Sequence, residues 1–254
     1  VQRSVSSDLV LVGGGHSHVA VLRSFGMRPL PGLRITLISR HSQTPYSGML
    51  PGLIAGCYSV DEAHIDLRPL CRFAGAGFIA AEAAGFDPVA RTVRFSDRPE
   101  IGYDWLSINT GSTPTVLPGI GPDGVATPVK PIDRFLERWR GLVDRLERRA
   151  SSSRIGVIGG GAGGVELSLA ISHRLGTLGL EAHMTLLTAE PEVLTSHARG
   201  VRRRFARLLR ERGIEVLTST LVTAAGRGCV QTEAGETLEF DEVLNVTDAS
   251  APDW

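Results

Sequence analysis

The chain has 254 residues, 42% of them hydrophobic, with 27 basic and 27 acidic side chains. That length suits one large domain or two ordinary ones, and a formal charge of zero sets up no global field to draw in nucleic acid or an anionic membrane. Three scattered cysteines, Cys57, Cys71 and Cys229, show no CxxC spacing and argue against a disulfide framework or a zinc site, and no apolar run reaches membrane-spanning length.

In chain order, residues 8–12 (DLVLV) read as a buried parallel strand. Gly13-Gly14-Gly15 follows, then a helix over 16–25 and a second strand over 33–39 (LRITLIS). Residues 41–56 are rich in Pro, Gly and Ser and read as a loop, with room for a helical turn over 50–55. A helix is expected over 60–73, and strands over 77–82, 91–95 and 103–109, the last two as a meander returning to the sheet. Residues 110–130, dense in proline and glycine, read as a linker, and 132–150 as a charged connecting helix. The pattern then restarts: strand 154–158, glycine turn 159–164, helix 165–175, strand 183–188, amphipathic helix 198–212, strand 214–218, a hairpin region 221–239 and a returning strand 242–246. The two halves share the order strand, glycine turn, helix, strand, a duplication of fold type.

The second glycine turn is Gly159-x-Gly161-x-x-Gly164. In a strand–turn–helix setting the first glycine permits the tight turn, the second lets backbone approach a pyrophosphate, and the third lets helix and strand pack closely. The helix N-terminus then offers free N–H groups and a partial positive charge to phosphates. The first turn has Gly13 and Gly15, but His18 holds the third position, so its imidazole must widen the helix–strand contact or point elsewhere. The acidic residue that usually ends the second strand is absent from both halves. Ser39 and Arg40 stand there in the first, Thr188 and Ala189 in the second, with Glu190 just beyond. A hydroxyl can also bond ribose, and no arginine directly follows the second-half strand, which favours NADH over NADPH. Glu166, near the start of the second helix, suits either an acid placed for the helix dipole or a neighbour of the nicotinamide. Every basic residue except Lys130 is arginine; lysine can shift its pKa and arginine cannot lose its proton, which makes Lys130 a candidate site residue.

Other clusters have simpler readings. His16 with His18, and His64 with Asp66, lack further ligands for a metal. Arg202, Arg203 and Arg204 form the solvated face of a helix whose apolar residues are Val201, Phe205, Leu208 and Leu209, not a nucleic-acid surface. Cys57 reads as a small hydrophobe before it reads as a redox thiol.

Five segments occur in a known order: GGGHSH at 13–18, TPYSGMLPG at 44–52, LSINTGSTP at 106–114, GGGAGGVE at 159–166 and LNVTDASAP at 244–252. They resemble the pyridine nucleotide-disulfide oxidoreductase superfamily. The likeness is nearer to the type II NADH dehydrogenase branch, and nearer still to the flavoprotein module fused to selenide, water dikinase. It implies an α/β fold of two Rossmann-like, three-layer dinucleotide-binding domains, the second inserted in the first. Their expected bounds are 1–115 for an FAD domain, 116–150 for a linker and helix, and 151–254 for an NAD(P)H domain. The C-terminal part of the family fold, with any membrane-binding segment, would lie beyond Trp254. By the resemblance Gly13, Gly15 and Ser39 hold the ADP part of FAD, with His18 and Arg40 beside them. Ala83, at a strand end, meets the adenine; Pro45 borders the flavin ring, and Thr110 and Gly111 pass close to it. Gly159, Gly161, Gly164, Glu190 and Thr247 face NAD(P)H, and Glu166 is the catalytic candidate; Lys130 joins it on its chemistry alone.

The chain departs from that pattern in three ways. Ser47 stands where disulfide reductases keep a redox cysteine, the cysteine positions of sulfide:quinone reductases are empty, and Asp248 replaces the glycine after Thr247. The expected activity is hydride transfer from NAD(P)H to FAD, then electron transfer to a quinone or to a selenium or sulfur compound. The alternative is a nucleotide-binding module without turnover. A reducing, cytoplasmic setting, with membrane association or a homodimer left open, completes the expectation.

Overall fold

The computed structural model describes residues 5–114, 126–129, 132–148, 152–226, 228–247 and 249–250. The elements in chain order are β1 (Ser7–Val12), α1 (His16–Met27), β2 (Leu33–Ser39), β3 (Gln43–Pro45), α2 (Leu50–Ala55), β4 (His64–Asp66), α3 (Leu67–Ala74), β5 (Gly77–Ala80), β6 (Ala83–Asp87), β7 (Thr92–Phe95), β8 (Ile101–Gly102) and β9 (Trp105–Ile108). They continue with β10 (Thr113–Pro114), β11 (Ala126–Pro128), α4 (Ile132–Arg148), β12 (Ser153–Ile158), α5 (Ala162–Thr177), β13 (Ala182–Leu187), α6 (Arg199–Glu211), β14 (Glu215–Leu217), β15 (Val222–Gly226), β16 (Cys229–Thr232), β17 (Thr237–Glu239), β18 (Glu242–Asn245) and β19 (Ala249–Ser250). Two compact units result. One holds the residues before Gly48 together with Val60–Gly111; the other holds Gly48–Ser59 and the described residues of Ser112–Ser250.

In the first unit a parallel sheet runs β5-β2-β1-β9. Both faces of β1 are covered, which is why it reads as an unbroken apolar run instead of an alternation. Leu11 packs with Leu22, Leu37, Leu67 and Cys71 under α1 and α3. Val10 and Val12 pack on the other face with Ile38, Ala81 and Val93, against the antiparallel meander β6-β7-β8.

The second unit repeats the plan with the parallel order β11-β18-β12-β13-β14. Ile155, Val157, Met184, Leu186 and Leu244 form one core with residues of α2, α4, α5 and α6. Ile158, Leu187 and Val243 meet Val222 and Val230 of the β15-β16-β17 meander, and Phe240 just after it, on the other. Both units are mixed α/β with Rossmann-like strand–turn–helix starts.

Several local expectations are corrected. Residues 60–73 are not one helix: 64–66 pair with β3, and α3 starts only after Asp66, whose carboxylate accepts the Arg68 N–H at 3.0 Å as an N-cap. Within 41–56, the chain forms β3, a 3-10 turn and α2, whose Leu50 and Ile54 are buried in the second unit. β6 was not anticipated, because a register shift at Gly85 breaks the alternation that would reveal it. The helix read as a connector is a core element: Phe135, Trp139, Leu142 and Leu146 recur on one face of α4 and are buried. Most of the expected linker, Lys130 and Asp248 lie outside the described residues.

Candidate functional site

Each unit places a glycine turn at the carboxyl end of a central parallel strand, opening a helix. In the first, Gly13 has φ +97°, and a Cβ there would overlap the Asn109 carbonyl and lie 2.7 Å from Thr110 Cα. Only glycine meets both the left-handed conformation and the close approach of β1 to the end of β9. Gly15 is the N-cap of α1, and its N–H donates to the Asn109 carbonyl at 3.3 Å. No acidic residue lies in the first turn of α1 and no side chain caps it, which leaves its leading amides for an anion.

The second turn is built alike. Gly159 has φ +121°, with a Cβ position 2.7 Å from the Val246 carbonyl oxygen. A Cβ on Gly160 would lie 2.5 Å from Thr188 Oγ1, whereas one on Gly161, the N-cap of α5, would meet nothing within 4 Å. The space beside Gly161 is therefore open where a ligand's phosphates would approach. A Cβ on Gly164 would overlap the Gly159 carbonyl oxygen, so the third glycine allows α5 to sit tight under the turn.

His18 solves the same problem differently. It does not point away from the turn. The ring is 1% exposed, with Nδ1 at 2.6 Å from the Gly13 carbonyl and Nε2 at 2.9 Å from Ser107 Oγ. Because a carbonyl only accepts, Nδ1 carries the proton and Nε2 accepts from the serine hydroxyl. The imidazole thus bonds the turn carbonyl that in the second unit abuts Gly164, and ties it to β9. Burial lowers its pKa, outweighing the opposing Gly13 bond. With both nitrogens occupied, His18 supports the turn from behind and has no ring atom left to offer a cofactor.

The other anticipated residues are spread around these turns. Ser39 ends β2 with its hydroxyl donating to the His41 carbonyl at 2.9 Å. Arg40 pairs with Glu82 at 3.3 Å, both well exposed. Pro45 ends β3, and next to it the Tyr46 ring meets His16 edge-on, centroids 6.3 Å apart. Ala83 does not end the β5 strand, which stops at Ala80; it opens β6 and pairs with Phe95. Thr110 and Gly111 follow β9, with Gly111 at φ +83°.

In the second unit Glu166 is exposed, one turn into α5. Glu190 is also exposed; its N–H donates to Thr188 Oγ1 at 3.3 Å and its carbonyl accepts the Ser219 N–H at 2.9 Å. Thr247 is held by Asn245 Oδ1, which accepts from its N–H at 3.2 Å and its hydroxyl at 2.8 Å. Thr188 and Asn245, 4% and 1% exposed, were not singled out. Their position at strand ends beside the turns was the available signal, since Thr188 stands to Gly160 as Ser39 stands to Gly14. A cavity of about 440 Å³ lies elsewhere, lined by Ser172, Leu175, Met184 and Arg212 near the amino-terminal end of β13.

His16 is exposed while His18 is buried, so the two rings diverge, and among the described residues no group of three His, Cys, Asp or Glu is placed to hold a metal. Burial pushes the Cys71 thiol up to about 11, which keeps it protonated at neutral pH, whereas Cys57 is exposed. In the native protein at pH 8, iodoacetamide is expected to label Cys57 and to spare Cys71 until denaturant is added. Mass spectrometry of the labelled peptides reads this out, and native labelling of Cys71 would contradict the packing described.

Two glycine turns, each opening a helix at the carboxyl end of a parallel strand, define a Rossmann-like α/β fold in each unit. The chain belongs to the pyridine nucleotide-disulphide oxidoreductase family, whose model matches residues 7–247. It is 28% identical over 229 residues to the sulfide-quinone reductase of Aquifex aeolicus, covering 87% of this chain and 52% of that protein. It is 26% identical over 230 residues to a probable ferredoxin reductase of Castellaniella defragrans, covering 86% and 51%. The chain thus spans about half the length of these curated relatives. Among solved structures, the Aquifex aeolicus sulfide:quinone oxidoreductase matches with a TM-score of 0.76 at 25% identity, over 97% of this chain and 59% of that one. The NDH2 of Plasmodium falciparum, determined with NADH, matches with a TM-score of 0.85 at 17% identity, over 97% and 56%, a likeness of fold.

Proposed function

We propose that the chain is the nucleotide-binding part of an FAD-dependent NAD(P)H oxidoreductase, with FAD on the first unit and the pyridine nucleotide on the second. The observation that carries this reading is the duplication itself: two turns in which a Cβ on Gly13, Gly159 or Gly164 would strike backbone. When bound, the flavin would supply the redox chemistry, taking hydride from the nicotinamide and passing electrons to an acceptor.

The protein's own part is orientation and electrostatics. The leading amides of α1 and α5 hold the two diphosphates, and Gly13 and Gly15 let the backbone come close. Thr110 and Gly111, on the return from β9, would pass beside the flavin, with Pro45 at its border and Arg40 near its ADP end. In the second unit Glu190 would bond the ribose hydroxyls and disfavour a 2′-phosphate, which supports NADH over NADPH. Thr247 would border the nicotinamide half, and Glu166, exposed on α5, is the candidate acid beside it. Lys130 is proposed from its chemistry alone.

The sulfide-quinone reductase relative supports a quinone as acceptor. Such an acceptor would bring the protein to a membrane surface; among the described residues no helix is long and apolar enough to cross one. The selenium-linked acceptor of the fused flavoprotein module is the narrower alternative. The purified protein, reconstituted with FAD, is expected to show flavin absorbance that NADH bleaches anaerobically and a quinone analogue restores. A colourless protein that still binds NADH would replace this reading with that of a binding module without turnover.

A further inference from the structure

Three non-glycine residues have positive φ: Arg91 at 54°, Leu194 at 58° and Ser219 at 51°. Two of them brace the rim of the second cradle. Leu194 donates its N–H to the Gly160 carbonyl at 2.8 Å, and Ser219 donates to the Glu190 carbonyl at 2.9 Å. A leucine in the left-handed region is strained, because its Cβ crowds its own carbonyl, and such strain persists only where the surroundings over-determine it. The surroundings here are clear: Val193 and Leu194 are 3% and 4% exposed and belong to the core of the second unit.

The consequence lies in the next peptide bond. In a trans peptide the C=O and the following N–H point in opposite directions. Drawing the Gly160 oxygen back onto Leu194 therefore aims the Gly161 N–H the other way. Gly161 is exposed, and the space at its Cβ position is open. The geometry assigns Leu194 as a positioning residue of the pyridine nucleotide site: its left-handed backbone orients the Gly161 N–H toward the diphosphate. This inference rests on the second unit's being that site.

The test separates backbone from packing. Leu194→Gly adopts the left-handed region freely but loses the buried side chain; Leu194→Asn tolerates that region as a polar second variant. Leu194→Val and Leu194→Ile keep apolar bulk but resist positive φ. NADH dissociation constants are measured by fluorescence titration of the full chain, alongside melting temperatures. The Gly and Asn variants are expected to bind NADH within about twofold of the parent despite lower melting temperatures. The Val and Ile variants are expected to bind about tenfold more weakly, the scale of one strong hydrogen bond to a charged ligand. The reverse ranking, equal losses in all four, or no loss in any would overturn the assignment. A parent chain that binds no NADH would instead sink the reading of the second unit, and this inference with it.

Discussion

Gly164→Ala is expected to abolish useful NADH binding, raising the dissociation constant roughly 100-fold, the scale on which a displacement of about 1 Å costs a positioned site. The new methyl would overlap the Gly159 carbonyl oxygen and lie 3.0 Å from its carbon, both backbone atoms that no side-chain rotation can clear. Helix α5 cannot simply lift, because Val165, Leu167, Ala170 and Ile171 anchor it in the core. Alanine is the better helix former by about 1 kcal/mol, but overpacking costs roughly 1–3 kcal/mol, so the substitution loses on balance. The first unit lacks this contact, and its flavin content should be unaffected. NADH titration alongside flavin absorbance would decide it; a variant binding NADH within a few-fold of the parent would show that the contact relaxes without moving the cradle.

His18→Gly is expected to destabilise the first unit by roughly 3 kcal/mol and to release FAD. Motif logic alone predicts the opposite, since the change completes a third glycine. The structure reverses the expectation because the imidazole bonds both the Gly13 carbonyl and Ser107. Removing it leaves a half-buried hydroxyl and carbonyl unmatched, opens a void, and puts a glycine inside α1 at a cost of about 1 kcal/mol. The pH dependence carries the same signature. The folded protein holds the His18 pKa below its usual 6.5, so as pH falls the unfolded chain takes up the proton first. Stability is then highest with His18 neutral, and declines as pH drops below about 6.5 until the folded-state pKa is passed. Melting temperatures of the parent across that range should show this decline, and the His18→Gly variant should lack that component. A parallel pH response in both proteins would remove His18 from the account.

These two cases show what was legible in the sequence. The glycine turns were, because positive φ and backbone contact leave no other residue type at Gly13 or Gly159. The central strands were too, since burial on both faces writes them as apolar runs such as 8–12 and 154–158. The role of His18 was hidden because its partner Ser107 is 89 positions away. The left-handed turn at Leu194 leaves no trace in residue type, as it follows from the packing around Val193. β6 was obscured by its irregular register, and α2, six residues long, owes its form to the core it enters and not to intrinsic propensity.

That short helix has a wider consequence. The backbone leaves the first unit after Ser47, deposits Leu50 and Ile54 in the hydrophobic interior of the second, and returns at Val60 before leaving again after Gly111. The second unit is therefore not a cassette that can be lifted out between two cut points. A recombinant piece beginning at Ser112 would carry an unfilled trough where α2 belongs, and grafting it onto another scaffold would require the 48–59 peptide as well. Shuffling of such halves during evolution faces the same constraint, because both stretches of chain must travel together.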